Sequence, residues 1–447
     1  MRAEAAAGGA RIEALKAELC SSVDARRDEL TAIAREIHAH PELAFEEHRA
    51  AALLTRSLRD AGLAVEAPCY GLATAFECRI GASSGPSVAL LAEYDALPGM
   101  GHACGHNLIA TAALGAGLAL AALGARLPGR VRILGTPAEE AGCGKELLAR
   151  AGAFDGVDAA LMVHPAGIDL ETMPSIALAE VEVIYRGVAS HAAAMPERGV
   201  NALDALVTAY QSIAQLRQHI RPTERIHGIV TEGGEAPNVV PARAVGRFYV
   251  RASNAGELDA LKRRVEGCFR AGAEATGAAL EIDWREPDYL ELRTNWPLAR
   301  CYRSNAEALG RRFFPIEKLP PGVLGTTDMG NVSHRVPAIH PMIAAAPVTC
   351  TIHHPEFAEH AGSPSGDAAA LDGAKALAMT ALDFLLDAEL RKRAREDFAG
   401  RAAPGPLDHQ AGRAAPGPLD HQAGRAAPGP LDHQAGRAAP GPLDHQI

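Results

Sequence analysis

Residues 87–123 constrain the fold more than any other part of the chain. Residues 87–92 are an uninterrupted apolar run, which predicts a buried strand, and residues 107–123 are rich in Ala and Leu, which predicts a buried helix. The loop between them carries Cys104 and His106, two positions apart. Loops of this kind are where α/β folds build their sites. Cys and His are good ligands for zinc or a related metal, but two ligands alone do not make a site.

The same arrangement recurs further along the chain. Residues 130–135, which are apolar apart from two arginines, predict a second strand that leads into Thr-Pro-Ala-Glu139-Glu140, and the apolar residues 159–163 predict a third that leads into His164. Helical segments lie between these runs. The sequence therefore predicts an α/β fold with a mixed, largely parallel sheet and flanking helices, in which strand after strand ends in a potential ligand.

The pattern changes near Ser175, where elements in the order β-α-β-β-α-β begin. This is the ferredoxin-like arrangement, and it predicts a small α+β domain inserted into the first. In the second part of the first domain, the pattern predicts helices over residues 298–313 and 366–398. The predicted division has four segments: a catalytic domain in two parts, 1–175 and 295–399, an inserted lid or dimerisation domain, 176–294, and a tail, 400–447.

The tail consists of a twelve-residue repeat, Gly-Arg-Ala-Ala-Pro-Gly-Pro-Leu-Asp-His-Gln-Ala, in four copies, the last of which ends in Ile447 in place of Ala. Each copy has two prolines, two glycines and a single leucine. Such a segment cannot bury a core, so we expect it to be disordered.

Charge and composition exclude several classes of partner. The net charge is −10 without a basic stripe, which argues against nucleic acid. No apolar run is long enough to cross a membrane, and the first residues make a poor signal peptide, so we expect a cytoplasmic protein. The eight cysteines are scattered without a C-x-x-C pair, as is typical of free thiols in a reducing compartment.

Metal-ligand residue types recur at five positions along the catalytic domain. These are Cys104, His106, Glu139 or Glu140, His164, and His353 or His354. Two metal ions with a shared ligand would use about that many residues and leave room for a water. The adjacent acids suit two tasks, because one can bind metal while the other moves a proton.

The motifs that carry these residues resemble the M20 metallopeptidase family, in the branch called subfamily D. They are, in chain order, Glu-Tyr-Asp95-Ala-Leu-Pro, Gly-His-Ala-Cys104-Gly-His106-Asn, Pro-Ala-Glu139-Glu140, Met-Val-His164-Pro and His353-His-Pro-Glu-Phe357. The resemblance covers residues 25–395. The branch holds N-acyl amino acid amidohydrolases, auxin-conjugate hydrolases, p-aminobenzoyl-glutamate hydrolases and dipeptidases.

The resemblance implies a site with two divalent metal ions, zinc or manganese. It assigns the metal ligands as Cys104, His106, Glu140, His164 and His353. It makes Glu139 the general base, and it gives Asp95 the role of orienting a ligand from outside the coordination shell.

The inserted domain resembles the lid or dimerisation domain of the family, which implies a homodimer. The motif Gly187-Val-Ala-Ser-His191 implies that His191 stabilises an oxyanion, in many members across the dimer. The segment that contains Asn238, together with Arg251, resembles the motif for the substrate carboxylate. An Arg fork suits that group.

Two departures refine the function that the resemblance implies. Asn107 replaces the Asp of many hippurate- and auxin-type members, and Glu93 stands where other branches place a metal-binding His. The first departure favours the p-aminobenzoyl-glutamate hydrolase and dipeptidase side. We therefore expect a metal-dependent amidohydrolase or peptidase for N-acyl amino acids or dipeptides with a free carboxylate. The alternatives are a deaminase of an aromatic amine with the same metals, and a ligand-binding protein without catalysis.

Overall fold

The computed structural model describes residues 2–320 and 325–400. Its helices are α1 (Arg2–Ala25), α2 (Arg27–Ala39), α3 (His48–Asp60), α4 (His106–Ala122), α5 (Glu139–Gly142), α6 (Gly144–Arg150), α7 (Ala202–Leu216), α8 (Ala255–Thr276), α9 (Trp296–Ala308), α10 (Met329–Ser333), α11 (Pro355–Ala361), α12 (Pro364–Leu386) and α13 (Ala388–Ala399). Its strands are β1 (Val65–Glu66), β2 (Phe76–Gly81), β3 (Ser87–Ala92), β4 (Arg130–Gly135), β5 (Ala159–Leu161), β6 (His164–Ala166), β7 (Ala177–Arg186), β8 (Arg225–Glu232), β9 (Arg243–Ala252), β10 (Ala279–Tyr289), β11 (Ala338–Ile339) and β12 (Met342–Ala344). The repeat tail lies outside the described residues.

The main sheet has the strand order β1-β2-β4-β3-β5-β11. Strands β4, β3, β5 and β11 run parallel, while β1 and β2 pair antiparallel at one edge. Every residue of β3 is buried, because helices cover both faces of a parallel sheet. The prediction of an α/β fold with a largely parallel sheet is confirmed.

Helices α4 and α12 pack closely against each other in the core of this domain. A side chain at Gly115 of α4 would place its Cβ 3.0 Å from the Cβ of Ala374 in α12. The two small residues therefore let the helices approach each other closely. Among the residues that the structure describes, none of the helices combines the length and apolar character that a bilayer crossing requires.

Three helical segments differ from the predictions. Helix α1 was not predicted; its sequence is rich in Ala and Gly, but Leu15, Leu19 and Val23 are buried on one stripe at a spacing of four. The helix predicted over 298–313 ends at Ala308. The helix predicted over 366–398 is two helices, because the side chain of Asp387 accepts hydrogen bonds from the backbone that starts α13.

Residues 177–289 form a separate four-stranded antiparallel sheet of order β10-β7-β9-β8, covered by α7 and α8. This is the ferredoxin-like order, and it has its own apolar core. Strand β8 lies at the outer edge of the sheet. Strands β7 and β10 form the boundary with the catalytic part, and we keep the division at 176–294 as a proposal.

Candidate active site

A tight loop places the first two candidate ligands at the start of α4. Gly105, between Cys104 and His106, has φ 82°, a conformation that favours glycine. A Cβ there would also lie 2.5 Å from Cγ of Pro165. The glycine therefore lets the loop turn sharply against β6, whose first residue is His164.

The buried side chains of Cys104, His106 and His164 come together at this turn. Cys104 Sγ is 3.3 Å from His164 Nε2, and the potential ligand atoms of all three residues lie within 4.8 Å of one another. Burial, followed by the nearby His106, lowers the pKa of His164 to about 4. His164 is therefore a neutral imidazole, the form that binds metal.

A second group shares Cys104 with the first and adds Glu140 and His353. Glu140 Oε1 is 3.4 Å from His353 Nε2. The backbone N–H of His353 donates to the carbonyl of Ala103, which ties the two ligand loops together. His354 points elsewhere, since its Nδ1 accepts from the backbone N–H of Glu356 as the cap of α11.

Asp95 fixes the orientation of His106. Its Oδ1 is 3.0 Å from His106 Nδ1, and its Oδ2 accepts from the backbone N–H of Glu140. Burial opposes ionisation, but His106 and this N–H hold the pKa of Asp95 below its usual range. The ionised carboxylate leaves His106 Nε2 directed into the cluster, where Glu139 and Glu140 approach it at 3.9 and 3.8 Å.

The two adjacent glutamates have opposite electrostatic environments. Burial and the carboxylates of Glu93, Glu140 and Asp328 raise the pKa of Glu139 well above its usual value. Burial also acts to raise the pKa of Glu140, but His353 and His106 outweigh burial and lower this pKa. A carboxyl group with a raised pKa is suited to proton transfer, and an ionised one is suited to metal binding.

Two residues that the sequence analysis did not identify hold the turn that carries Glu139. The hydroxyl of Tyr289 donates to the carbonyl of Glu139 at 2.9 Å and accepts from the backbone N–H of Cys143 at 3.0 Å. Glu47, which is fully buried, accepts from the backbone N–H of Ala138 at 2.8 Å. Both come from distant parts of the sequence and lie in no recognisable motif.

The cluster fits a divalent metal by its own chemistry. Within the described residues, His106 Nε2, Glu93 Oε2 and Glu140 Oε1 are buried without a hydrogen-bond partner. Buried polar atoms are normally paired, so an absent group is expected to satisfy them. The nitrogen, sulfur and carboxylate donors match the ligand set of zinc, and manganese accepts the carboxylates.

The residues predicted in the inserted domain lie in two separate places. The exposed His191 and Asn238 are on paired segments, where the N–H of Ala192 donates to the carbonyl of Asn238. The ring of His191 accepts from backbone N–H groups of its own turn. The segments of His191 and Asn238 adjoin the Arg243 end of β9, whereas Arg251 lies at the other end of this strand. Arg251 donates to Thr326 Oγ1 of the catalytic part at 2.7 Å.

Comparison with known proteins shows which proteins the chain is similar to. The model of the family described as peptidase family M20/M25/M40 matches residues 89–382. The chain is 43% identical over 404 residues to a Mus musculus protein described as Xaa-Arg dipeptidase. This alignment covers 87% of this chain and 93% of that protein. It is 35% identical over 296 residues to a p-aminobenzoyl-glutamate hydrolase chain from Escherichia coli, with 61% of each chain covered.

Solved structures share the fold. A Bacillus subtilis protein described as a dinuclear metal binding peptidase of the M20 family aligns with a TM-score of 0.61 at 23% identity, over 80% of this chain and 99% of that chain. An aminobenzoyl-glutamate utilization protein from Klebsiella pneumoniae aligns with a TM-score of 0.66 at 19% identity, over 82% and 98%. At these identities the likeness concerns the fold alone.

Proposed function

The chain belongs to the M20/M25/M40 peptidase family and is a hydrolase that acts on carbon–nitrogen bonds, and on that premise we propose that it is a dinuclear metal-dependent dipeptidase. The observation that carries the proposal is the pair Glu139 and Glu140, whose carboxyl groups have opposite pKa shifts beside a buried Cys/His cluster. We propose that the substrates are dipeptides or N-acyl amino acids with a free carboxylate.

Five side chains would hold the two metal ions: Cys104, His106, Glu140, His164 and His353. Zinc or manganese bound there would lower the pKa of a water and polarise the substrate carbonyl. Asp95 orients His106 for this purpose through its 3.0 Å contact. Glu139 takes the proton from the attacking water and delivers it to the leaving amine.

Arg251 is proposed to bind the substrate carboxylate. It is half-buried at the junction of the two parts of the chain, and burial lowers the pKa of its guanidinium without removing its charge at neutral pH. Its hydrogen-bond partner Thr326 comes two residues before Asp328 in the sequence. A carboxylate oxygen of Asp328 lies within 4.8 Å of one of Glu139. From these contacts we infer that Arg251 serves the reacting centre of its own subunit.

His191 and Asn238 are proposed to act from a second subunit, with His191 stabilising the oxyanion. The homodimer would form through the inserted domain. Strand β8 is the outer strand of that sheet, and its Ile229 and Val230 are 62% and 47% exposed. An apolar edge strand is a template for pairing with another chain.

The mouse relative suggests which substrates to test first. Its description as Xaa-Arg dipeptidase makes dipeptides with a C-terminal Arg the first panel, with N-acyl amino acids and p-aminobenzoyl-glutamate as the second. We also propose a cytoplasmic location, since all eight cysteines are free thiols.

The test is a hydrolysis screen of the full chain after metal removal and after reloading with Mn²⁺ or Zn²⁺. Each peptide is paired with its C-terminal amide, which lacks the carboxylate that Arg251 would bind. We expect hydrolysis only in the reloaded protein and only of the free acids. Hydrolysis by a sample shown by elemental analysis to be metal-free would refute the mechanism, and no hydrolysis by a loaded sample would refute the substrate class.

A further inference from the structure

A fully buried lysine is bound by two acids that cluster with the proposed general base. Lys145 is in the first turn of α6 and its side chain has no exposed surface. A buried ammonium group is costly unless it is paired and hydrogen-bonded. Its surroundings therefore indicate what it does.

Two buried carboxylates bind Lys145 on two sides. Its ammonium group donates to Glu93 Oε1 and, at 2.7 Å, to Asp328 Oδ1. The backbone N–H of Lys145 donates to the other oxygen of Asp328 at 2.9 Å. Burial lowers the pKa of Lys145, but Asp328 and Glu93 outweigh it and raise the pKa, so the group is cationic at neutral pH.

A third carboxylate, that of Glu139, lies beside those of Glu93 and Asp328. We call the space among these three carboxylates the Glu93/Glu139/Asp328 pocket, or the Lys145 pocket. One oxygen each from Glu93, Glu139 and Asp328 lies within 4.8 Å of the others, and all three residues are buried. Clusters of carboxylate oxygens are the ligands that Mn²⁺, Mg²⁺ and Ca²⁺ prefer. The pocket adjoins the proposed metal centre, since the second oxygen of Glu93 is 3.5 Å from His106 Nε2.

The ammonium group of Lys145 forms hydrogen bonds with only two of the three acids. Within the described residues it donates to Glu93 and Asp328, but not to Glu139. A divalent ion in the same pocket would draw in all the carboxylates it could reach, because such ions take about six oxygen ligands. Glu139 bound to an ion could not accept a proton from water.

We propose that the Lys145 ammonium group is a built-in cation that fills the Glu93/Glu139/Asp328 pocket, excludes a further divalent ion from it, and so leaves Glu139 free. Lys145 is thus a positioning residue for the reaction. The benefit to catalysis rests on the proposed role of Glu139, whereas the exclusion of an ion does not depend on which substrate is hydrolysed.

The test compares metal binding by the full chain and by Lys145→Met. Both proteins are stripped of metal and titrated with Mn²⁺, and bound ions are counted by equilibrium dialysis with elemental analysis. We expect Lys145→Met to bind about one more ion per chain than the parent, because the neutral side chain leaves an uncompensated carboxylate pocket. Its turnover should fall as free Mn²⁺ rises through a range where the parent is unaffected.

Two further variants separate this role from a purely structural ion pair. Lys375→Met removes another buried lysine, which pairs with Asp24 at 2.8 Å, and should leave the number of bound ions unchanged. The double variant Lys145→Met/Asp328→Asn removes one carboxylate of the pocket and should return the number to that of the parent. A structural role alone predicts lower stability for Lys145→Met without any additional ion.

An equal number of ions in the parent and in folded Lys145→Met, with folding checked by circular dichroism, would overturn the proposal. If Lys145→Met does not fold, Lys145→Gln, which is neutral but keeps hydrogen-bond donors, takes its place and should bind the additional ion. In Asp328→Asn, Lys145 and Glu93 still fill the pocket, so the number of ions should equal that of the parent. Loss of an ion would show that Asp328 binds a resident metal and would overturn the proposal. These counts stand even if no tested peptide is hydrolysed.

Discussion

The replacement of Glu139 by Gln is the most direct test of how the adjacent acids divide their tasks. Glu140 is 3.4 Å from His353 and shares a ligand group with Cys104, so its carboxylate belongs to the proposed coordination shell. Glu139 borders the Lys145 pocket instead. We expect Glu139→Gln to keep its metal and lose turnover, and Glu140→Gln to lose metal.

The size of the effect follows from the surroundings of Glu139. Glu139 is only 7% exposed, so bulk water cannot readily replace its carboxylate as a proton acceptor. Gln has the same shape, and the bond from Tyr289 goes to the backbone carbonyl, so the turn should be unaffected. Loss of a general base typically costs about 10² to 10⁴ in rate. This corresponds to about 2.7 to 5.4 kcal/mol in the activation barrier.

The assay measures bound metal by elemental analysis and kcat from initial rates with the best dipeptide. Glu146→Gln is the matched control, since Glu146 is also 7% exposed but is bound by Arg150 and Arg335 outside the cluster. It should keep both its metal and its turnover. A Glu139→Gln protein that loses metal, or that keeps more than about a tenth of the parental kcat, would refute the assignment.

Three further predictions concern the inserted domain and acid stability. His191→Ala should lower kcat more than it raises KM, and a mixture with Glu139→Gln should regain activity after subunit exchange if His191 acts across the dimer; exchange without recovery would refute this. Arg251→Ala should mainly raise KM for free-acid peptides in steady-state assays, and an unchanged KM would contradict its role. Burial, then His106 and His38, lowers the pKa of His102 to about 3, so the unfolded state binds more protons between about pH 6.5 and 3. The free energy of unfolding of the metal-free protein should therefore fall by about 2 kcal/mol from this group between pH 7 and 5, and urea titrations of His102→Gln should show a smaller fall.

The sequence predicts an element well where a single local pattern determines it. The limits of β3 and β4 were predicted to the residue. Strand β3 is buried on both faces, and such strands are continuous apolar runs bounded by polar or turn residues. Helix α1 has too few large apolar residues for its stripe to be recognised against the Ala-rich background. The break at Asp387 depends on one capping side chain inside a helical pattern.

In the candidate site, too, residues in a local motif can be predicted from the sequence, whereas residues that only the fold brings together cannot. The Cys104 and His106 pair is a local motif and could be found directly. Lys145 binds acids that are 52 and 183 positions away, and only the fold brings these groups together. In the sequence, Glu93 stands out only as a departure from other branches of the family, whereas in the structure it is buried against Lys145.

The register of the inserted sheet bears on which subunit supplies His191. Arg251 pairs with Leu178 at the end of β9 nearest the catalytic part, whereas Arg243 pairs with Arg186 at the other end, beyond which His191 lies. The eight steps from Arg251 to Arg243 span about 26 Å at about 3.3 Å per residue. The main chain of a dipeptide spans only about 7 Å. A strand paired in a sheet cannot shorten from about 26 Å to about 7 Å. One inserted domain therefore cannot place the side chains of Arg251 and His191 on the same substrate. If both act on it, we infer that Arg251 comes from the subunit that holds the metals and His191 from its partner.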